Sequence, residues 1–203
     1  MSSYQGLSKA IDEKVVDMVF EQLWEWRSHR IAAPTIAINF DIAFLLDEQA
    51  VRSFLKRAKS SQVCFCIEIT EHTYVTELAA LASVIRKIRS AGHHISIDDF
   101  GTGYSSLTSL VSLEADEIKL DRALVVPPLA ETERSEMMLT SIIQLCHNLG
   151  FSVVAEGVET AAQLQKIQQF GADVIQGYYL GQPASAQKIG QTLLSNRPKI
   201  PVR

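Results

Sequence analysis

The chain has 203 residues, 47% hydrophobic and 21% charged, which is ordinary for a globular protein and enough for one domain with a real core. A net charge of −4 excludes general attraction to nucleic acid or an anionic membrane, so no DNA partner is expected, and a phosphate ligand needs local chemistry to overcome the charge. No apolar run approaches the roughly 18 residues of a membrane span, and residues 1–6 lack the basic start and apolar stretch of a signal peptide.

Cys64, Cys66 and Cys146 follow no metal or redox spacing, and their odd number argues against a disulfide framework. All three read as small core residues in a reducing cytoplasm. A long amphipathic helix fits Ser8 to His29, with Ser8 as its N-cap. One of its two tryptophans, Trp24 or Trp26, is expected at the surface. Short apolar runs then alternate with helical stretches. The strand candidates are 35–39, 63–69, 94–98, 115–121, 152–156 and 173–176. Helices fit 47–58, 76–91, 132–149, 160–169 and 184–195. Gly92, Gly150 and Gly171 each stand between a helix and a strand, where a left-handed cap is wanted. Strand, helix, strand in this repetition predicts a parallel α/β sheet. The tail 196–203 reads as loose chain, and residues 1–195 as one domain.

The strand faces favour a barrel over an open sheet. Phe65, Ile67 and Ile69 form a wholly apolar face suited to a helical cover, while Cys64, Cys66 and Glu68 are opposite. An open sheet covered on both sides should be more evenly apolar. The smaller face ends in polar groups at the C-terminal ends of the strands: Asn39, Glu68, Asp98, Lys119, Asp121, Glu156 and Gln176, with Asp99 directly after Asp98. In a barrel these form one rim, where active sites of this architecture lie. Two carboxylates about 4 Å apart repel by roughly 4 kcal/mol at an effective dielectric of 20, and Lys119 alone cannot neutralise four of them. Oxygen donors suit Mg²⁺ or Mn²⁺ rather than Zn²⁺. Adjacent aspartates can share two ions, a common device for attack on a phosphodiester. Residues 100–107, Phe-Gly-Thr-Gly-Tyr-Ser-Ser-Leu, supply a tight loop directly after the aspartate pair. His93 and His94 open a strand at the opposite rim and read as structural.

The stretch Asp98-Asp99-Phe-Gly-Thr-Gly-Tyr-Ser-Ser-Leu107 resembles the signature loop of EAL-domain cyclic di-GMP phosphodiesterases. Four further motifs resemble the family in order and spacing: Glu68-Ile-Thr-Glu71, Ile118-Lys119-Leu120-Asp121, Ala155-Glu156-Gly-Val-Glu159-Thr160 and Gln176-Gly-Tyr-Tyr-Leu-Gly-Gln-Pro183. The resemblance implies a TIM-like (β/α) barrel and two-metal hydrolysis of cyclic di-GMP to linear pGpG. It implies that Asn39, Glu68 and Asp98 ligate one metal, Mg²⁺ or Mn²⁺, and that Asp98 and Asp99 hold the second. Lys119 would orient a water or phosphate oxygen, and Glu156 the attacking water. Glu71 would anchor the signature loop. Gln176 and Pro183 would touch the nucleotide, with Asp121 and Glu159 in supporting places. It further implies a homodimer through the signature loop and the 132–149 helix, and sensory or GGDEF-type domains in a longer parent protein.

The Glu-Ala-Leu motif that names the family is not among these residues. Six strand candidates stand where a closed barrel of this type needs eight, and the resemblance implies that the first two strands are missing, one of them carrying a metal-ligating glutamate. The expectation is weak or absent hydrolysis by these 203 residues alone. A non-catalytic cyclic di-GMP receptor and a protein-interaction regulatory module are the alternatives.

Overall fold

The structure, a computed structural model, describes residues 3–102, 114–130 and 133–195. The chain opens with helix α1 (Ser3–Ser28), then β1 (Ile36–Asn39), α2 (Ile42–Leu45), α3 (Glu48–Ser61), β2 (Phe65–Thr70) and α4 (Glu71–Ser90). It continues with β3 (His94–Phe100), β4 (Glu117–Leu120), α5 (Arg122–Ala130), α6 (Glu133–Asn148), β5 (Ser152–Ala155), α7 (Ala161–Phe170), β6 (Val174–Ile175) and α8 (Ala186–Ser195). The six strands pair in parallel in the order β1-β2-β3-β4-β5-β6. The sheet curls into an open half-barrel with helices on its outer side, as expected of a TIM-like barrel lacking two strands. Among the described residues β1 and β6 do not pair with each other.

Alternation decides which side faces the helices. Phe65, Ile67, Ile69, Ile95, Ile97, Ile118, Leu120, Val153 and Ala155 point outward and are almost fully buried. Each such large side chain contributes roughly 1.5–3 kcal/mol. Phe54 of α3 meets Phe65 edge-on, with ring centres 5.2 Å apart. The inward side chains are smaller or polar. Register places Asn39 beside Glu68, Glu68 beside Ser96, and Ser96 beside Glu117. A parallel sheet aligns strand ends, so one polar rim follows from the register.

Local chemistry sets the helix ends. Asp47 caps α3 by accepting from the Ala50 amide, and Thr160 and Gln163 form a reciprocal capping box on α7. Gly171 ends α7 at φ 90°, and Gly92 and Gly150 also have positive φ, as their positions predict. Several expectations need correction. Ser8 is not an N-cap: helical backbone already begins at Ser3. The 76–91 helix begins at Glu71, where Thr70 caps it, and the periodicity was interrupted by non-helical backbone at Glu77. Two helices were not foreseen. α2 is a single turn, too short to show a period, and α5 contains Pro127 and Pro128, which argue against a helix. Cys66 and Cys146 are buried, but Cys64 is only half-buried, at the sheet's lower edge. Trp26 is buried at 7% exposure while Trp24 is 78% exposed. The 196–203 tail and residues 103–113 of the signature-loop region lie outside the described residues.

Candidate functional site

Four strands deliver their polar ends to one point. Lys119, on β4, is only 6% exposed. Its Nζ lies 2.8 Å from Glu156 Oε1, 2.9 Å from Asp98 Oδ1 and 3.2 Å from Glu68 Oε1. Asn39 donates from Nδ2 to Glu68 Oε2 at 2.9 Å, which joins β1 to the cluster. Buried charges of this kind persist only when paired. Burial alone would lower the Lys119 pKa, but the hydrogen bonds to Glu156 and Asp98 outweigh it and hold the ammonium charged. Glu68 moves the other way. Burial pushes its carboxyl up, and the nearby Asp98 and Glu156 add to the rise while Lys119 opposes it.

The aspartate pair depends on an irregularity in β3. The register to β4 shifts between Ile97 and Phe100, and Asp99 has φ 57°. A regular strand would send consecutive side chains to opposite faces; the left-handed residue breaks that rule, and Asp tolerates it. The Asp99 amide donates to Asp98 Oδ1 at 3.0 Å. Asp99 is exposed, and its carboxyl is raised by burial and by Asp98 and Asp121. Glu71, buried at the start of α4, accepts from the Gly101 amide at 3.0 Å. Asp121 accepts from the Ala123 amide at 2.7 Å and opens α5. Glu159 pairs with Arg122 at 2.6 Å. Gln176 and Pro183 are exposed, and the Gln176 amide donates to the Ala155 carbonyl at 2.9 Å. The structure thus gathers Asn39, Glu68, Asp98, Lys119 and Glu156 into direct contact. Asp99 lies near the end of β3 beside the cluster, and Asp121 and Glu159 lie on the adjoining loops.

A model of the EAL domain matches residues 3–183. The chain belongs to the EAL-domain family. Its sequence is 35% identical over 189 residues to the bifunctional diguanylate cyclase/cyclic di-GMP phosphodiesterase MucR of Pseudomonas aeruginosa, covering 91% of this chain and 27% of that protein. It is 33% identical over 187 residues to the oxygen sensor protein DosP of Escherichia coli, covering 91% and 23%. The solved MucR phosphodiesterase in complex with c-di-GMP is similar at a TM-score of 0.78 and 33% identity, covering 91% of this chain and 75% of that one. A manganese/cy-diGMP complex of Klebsiella pneumoniae BlrP1 is similar at 0.76 and 27% identity, covering 88% and 45%. The chain spans about a quarter of the length of the curated relatives it matches.

This EAL domain also carries a polar layer beneath the rim that the sequence reading passed over. Ser96 donates to Glu117 Oε1 at 2.8 Å, and the Cys66 thiol lies 4.0 Å from the same oxygen. Burial pushes the Cys66 thiol up to about 12, with Glu117 and Glu68 adding to it, so it stays a neutral donor. The signal was available: Ser96 and Glu117 share inward parity with Asp98 and Lys119. Among the described residues, no helix is long and apolar enough to cross a membrane.

Proposed function

We propose that this EAL domain binds cyclic di-GMP at the strand-end rim and, with two divalent ions, opens one of its 3′–5′ phosphodiester bonds to give linear pGpG. The observation that carries the reading is the convergence of Glu68, Asp98 and Glu156 on Lys119. The donor chemistry fits Mg²⁺ or Mn²⁺. All donors are oxygen, and Asp99 adds a fourth carboxylate to a cluster with one ammonium. Among the described residues, however, no three acidic, imidazole or thiol groups stand ready as a metal cage. The lysine occupies the centre to which the carboxylates turn.

Asn39, Glu68 and Asp98 would hold one ion, and Asp98 with Asp99 the other. When bound, the ions would stabilise charge on the phosphate and make water a better nucleophile. Glu156 takes the proton from the attacking water, a task suited to a carboxylate at hydrogen-bond range of its partners. Lys119 keeps Glu156 in place and offers its positive charge to a phosphate oxygen. Glu71 anchors the loop through Gly101. Asp121, Glu159, Gln176 and Pro183 line the nucleotide side. The reading includes a homodimer through the signature-loop region and the 132–149 helix, where α6 exposes Met137 and Met138. It also includes a cytoplasmic setting and sensory or GGDEF-type domains in a longer protein, in keeping with the share of its relatives that the chain spans.

These 203 residues do not include the Glu-Ala-Leu glutamate, so one charged ligand of the first ion is missing from them. Binding with slow turnover is therefore expected of this chain by itself. The test is calorimetry with cyclic di-GMP, together with pGpG release in excess Mn²⁺. No binding heat would sink the reading. Turnover of about 1 s⁻¹ or more, typical of enzymes, would refute the missing-ligand argument. The absence of a ready cage also keeps a second reading, a cyclic di-GMP receptor without catalysis. It predicts binding with no pGpG at all.

A further inference from the structure

We propose that Arg122 is a positioning residue for Glu156, holding at the rim the loop that carries this carboxylate; the inference rests on the hydrolase reading above. Arg122 opens α5 directly after Asp121. That turn is fixed against the sheet. The Asp121 amide donates to the Phe100 carbonyl at 3.2 Å, and Asp121 Oδ1 accepts from the Ala123 amide at 2.7 Å. Leu124 packs so tightly on Gly101 that a Cβ there would stand 2.7 Å from Leu124 Cδ2. The turn is therefore wedged against the loop that follows Asp98 and Asp99.

From this base Arg122 reaches the neighbouring loop, residues 156–160. Its stem covers Gly157, where a Cβ would meet Arg122 Cγ at 2.5 Å and Cβ at 2.7 Å. Gly157 has φ 76°, which glycine adopts without steric cost. The Arg122 head group continues to Glu159, with Nη1 2.6 Å from Oε1. One side chain thus presses on the residue after Glu156 and grips a residue of the next turn. On the other flank, Val158 donates to the Gln176 carbonyl at 3.2 Å, and the Tyr179 amide donates to the Val158 carbonyl at 3.1 Å. The loop is held between these two flanks, and its first residue is Glu156, 2.8 Å from Lys119.

The ion pair is 56% and 38% exposed at its two side chains, so it adds little to global stability. Its effect is positional. Misplacing a catalytic group by about 1 Å can cost on the order of a hundredfold in rate.

The test compares Arg122→Ala, Arg122→Lys and the charge-reversed Arg122→Glu/Glu159→Arg with the unmodified chain. Single-turnover hydrolysis of cyclic di-GMP in excess Mn²⁺ is measured beside ligand affinity, thermal melting and amide hydrogen exchange over residues 156–159. Arg122→Ala should slow the single-turnover rate by about ten- to a hundredfold, with affinity within about twofold of the parent. Exchange at the Val158 and Glu159 amides should rise while the melting temperature holds. Lysine, which keeps the stem and the charge, should recover most of the rate, and the reversed pair should recover the exchange protection. An Arg122→Ala protein with the parent rate, or one whose rate and affinity fall together, would overturn the proposal. If the parent shows no hydrolysis, whether or not it binds the ligand, the hydrolase reading of this chain fails by itself. Exchange then decides the positioning claim: unchanged protection in Arg122→Ala overturns it, and raised exchange restored by the reversed pair upholds it.

Discussion

Replacing Lys119 by methionine keeps the length of the stem and removes the only cation in contact with Glu68, Asp98 and Glu156 among the described residues. The distances to Lys119 Nζ, 2.8, 2.9 and 3.2 Å, place the three carboxylate oxygens within about 6 Å of one another. At that separation each pair of charges repels by roughly 3 kcal/mol at an effective dielectric of 20. Proton uptake and side-chain rotation relieve part of this. A net loss of about 3–5 kcal/mol is expected at pH 7, the usual cost of stripping one partner from a buried ion pair. For a domain of this size that is roughly 10 °C in melting temperature. The loss should shrink between pH 7 and pH 5, because protonating any one carboxylate removes two of the three repulsions. Under the metal reading, Mn²⁺ should also return part of it. Thermal melts of both proteins across this pH range, with and without Mn²⁺, read each term. A Lys119→Met protein that melts within about 2 °C of its parent at pH 7 would refute the argument.

Gly177→Ala should destabilise by about 1–3 kcal/mol or more, since the added Cβ would fall 2.0 Å from the Val158 carbonyl oxygen, a backbone atom that cannot swing away. An unchanged urea midpoint would show that the two loops are not packed as described. His93 concerns pH. It is buried beside Phe65, whose amide donates to its Nδ1 at 3.4 Å, and burial, then His94, lowers its pKa. A depressed histidine contributes stability that is present above its ordinary value of about 6.5 and lost as pH falls through the depressed one. The parent should therefore lose more stability than His93→Asn on acidification from pH 7 to pH 5. Parallel melting curves for the two proteins would contradict this.

The succession of elements was legible in the sequence because each signal is local. Ile67 and Ile69 alternate with Glu68 at the strand period, and glycine marks the ends of helices that must stop in the left-handed region. The polar rim was legible for the same reason. A parallel sheet aligns strand ends, so Asn39, Glu68, Asp98, Lys119 and Glu156 had to share one side of the barrel. Tertiary structure decided what no local period encodes. It chose Trp26 over Trp24 for the core, because only one faces α8 at Gly190. It turned Asp99 into left-handed backbone and set Glu117 beneath the rim with Ser96 and Cys66. It also brought Arg122 onto Gly157, across some 35 residues of chain. Which carboxylates share the buried Lys119 ammonium depends on distances across the curved sheet. Sequence alone identified the residue types at the rim, and the curvature decided that three of them meet at Lys119.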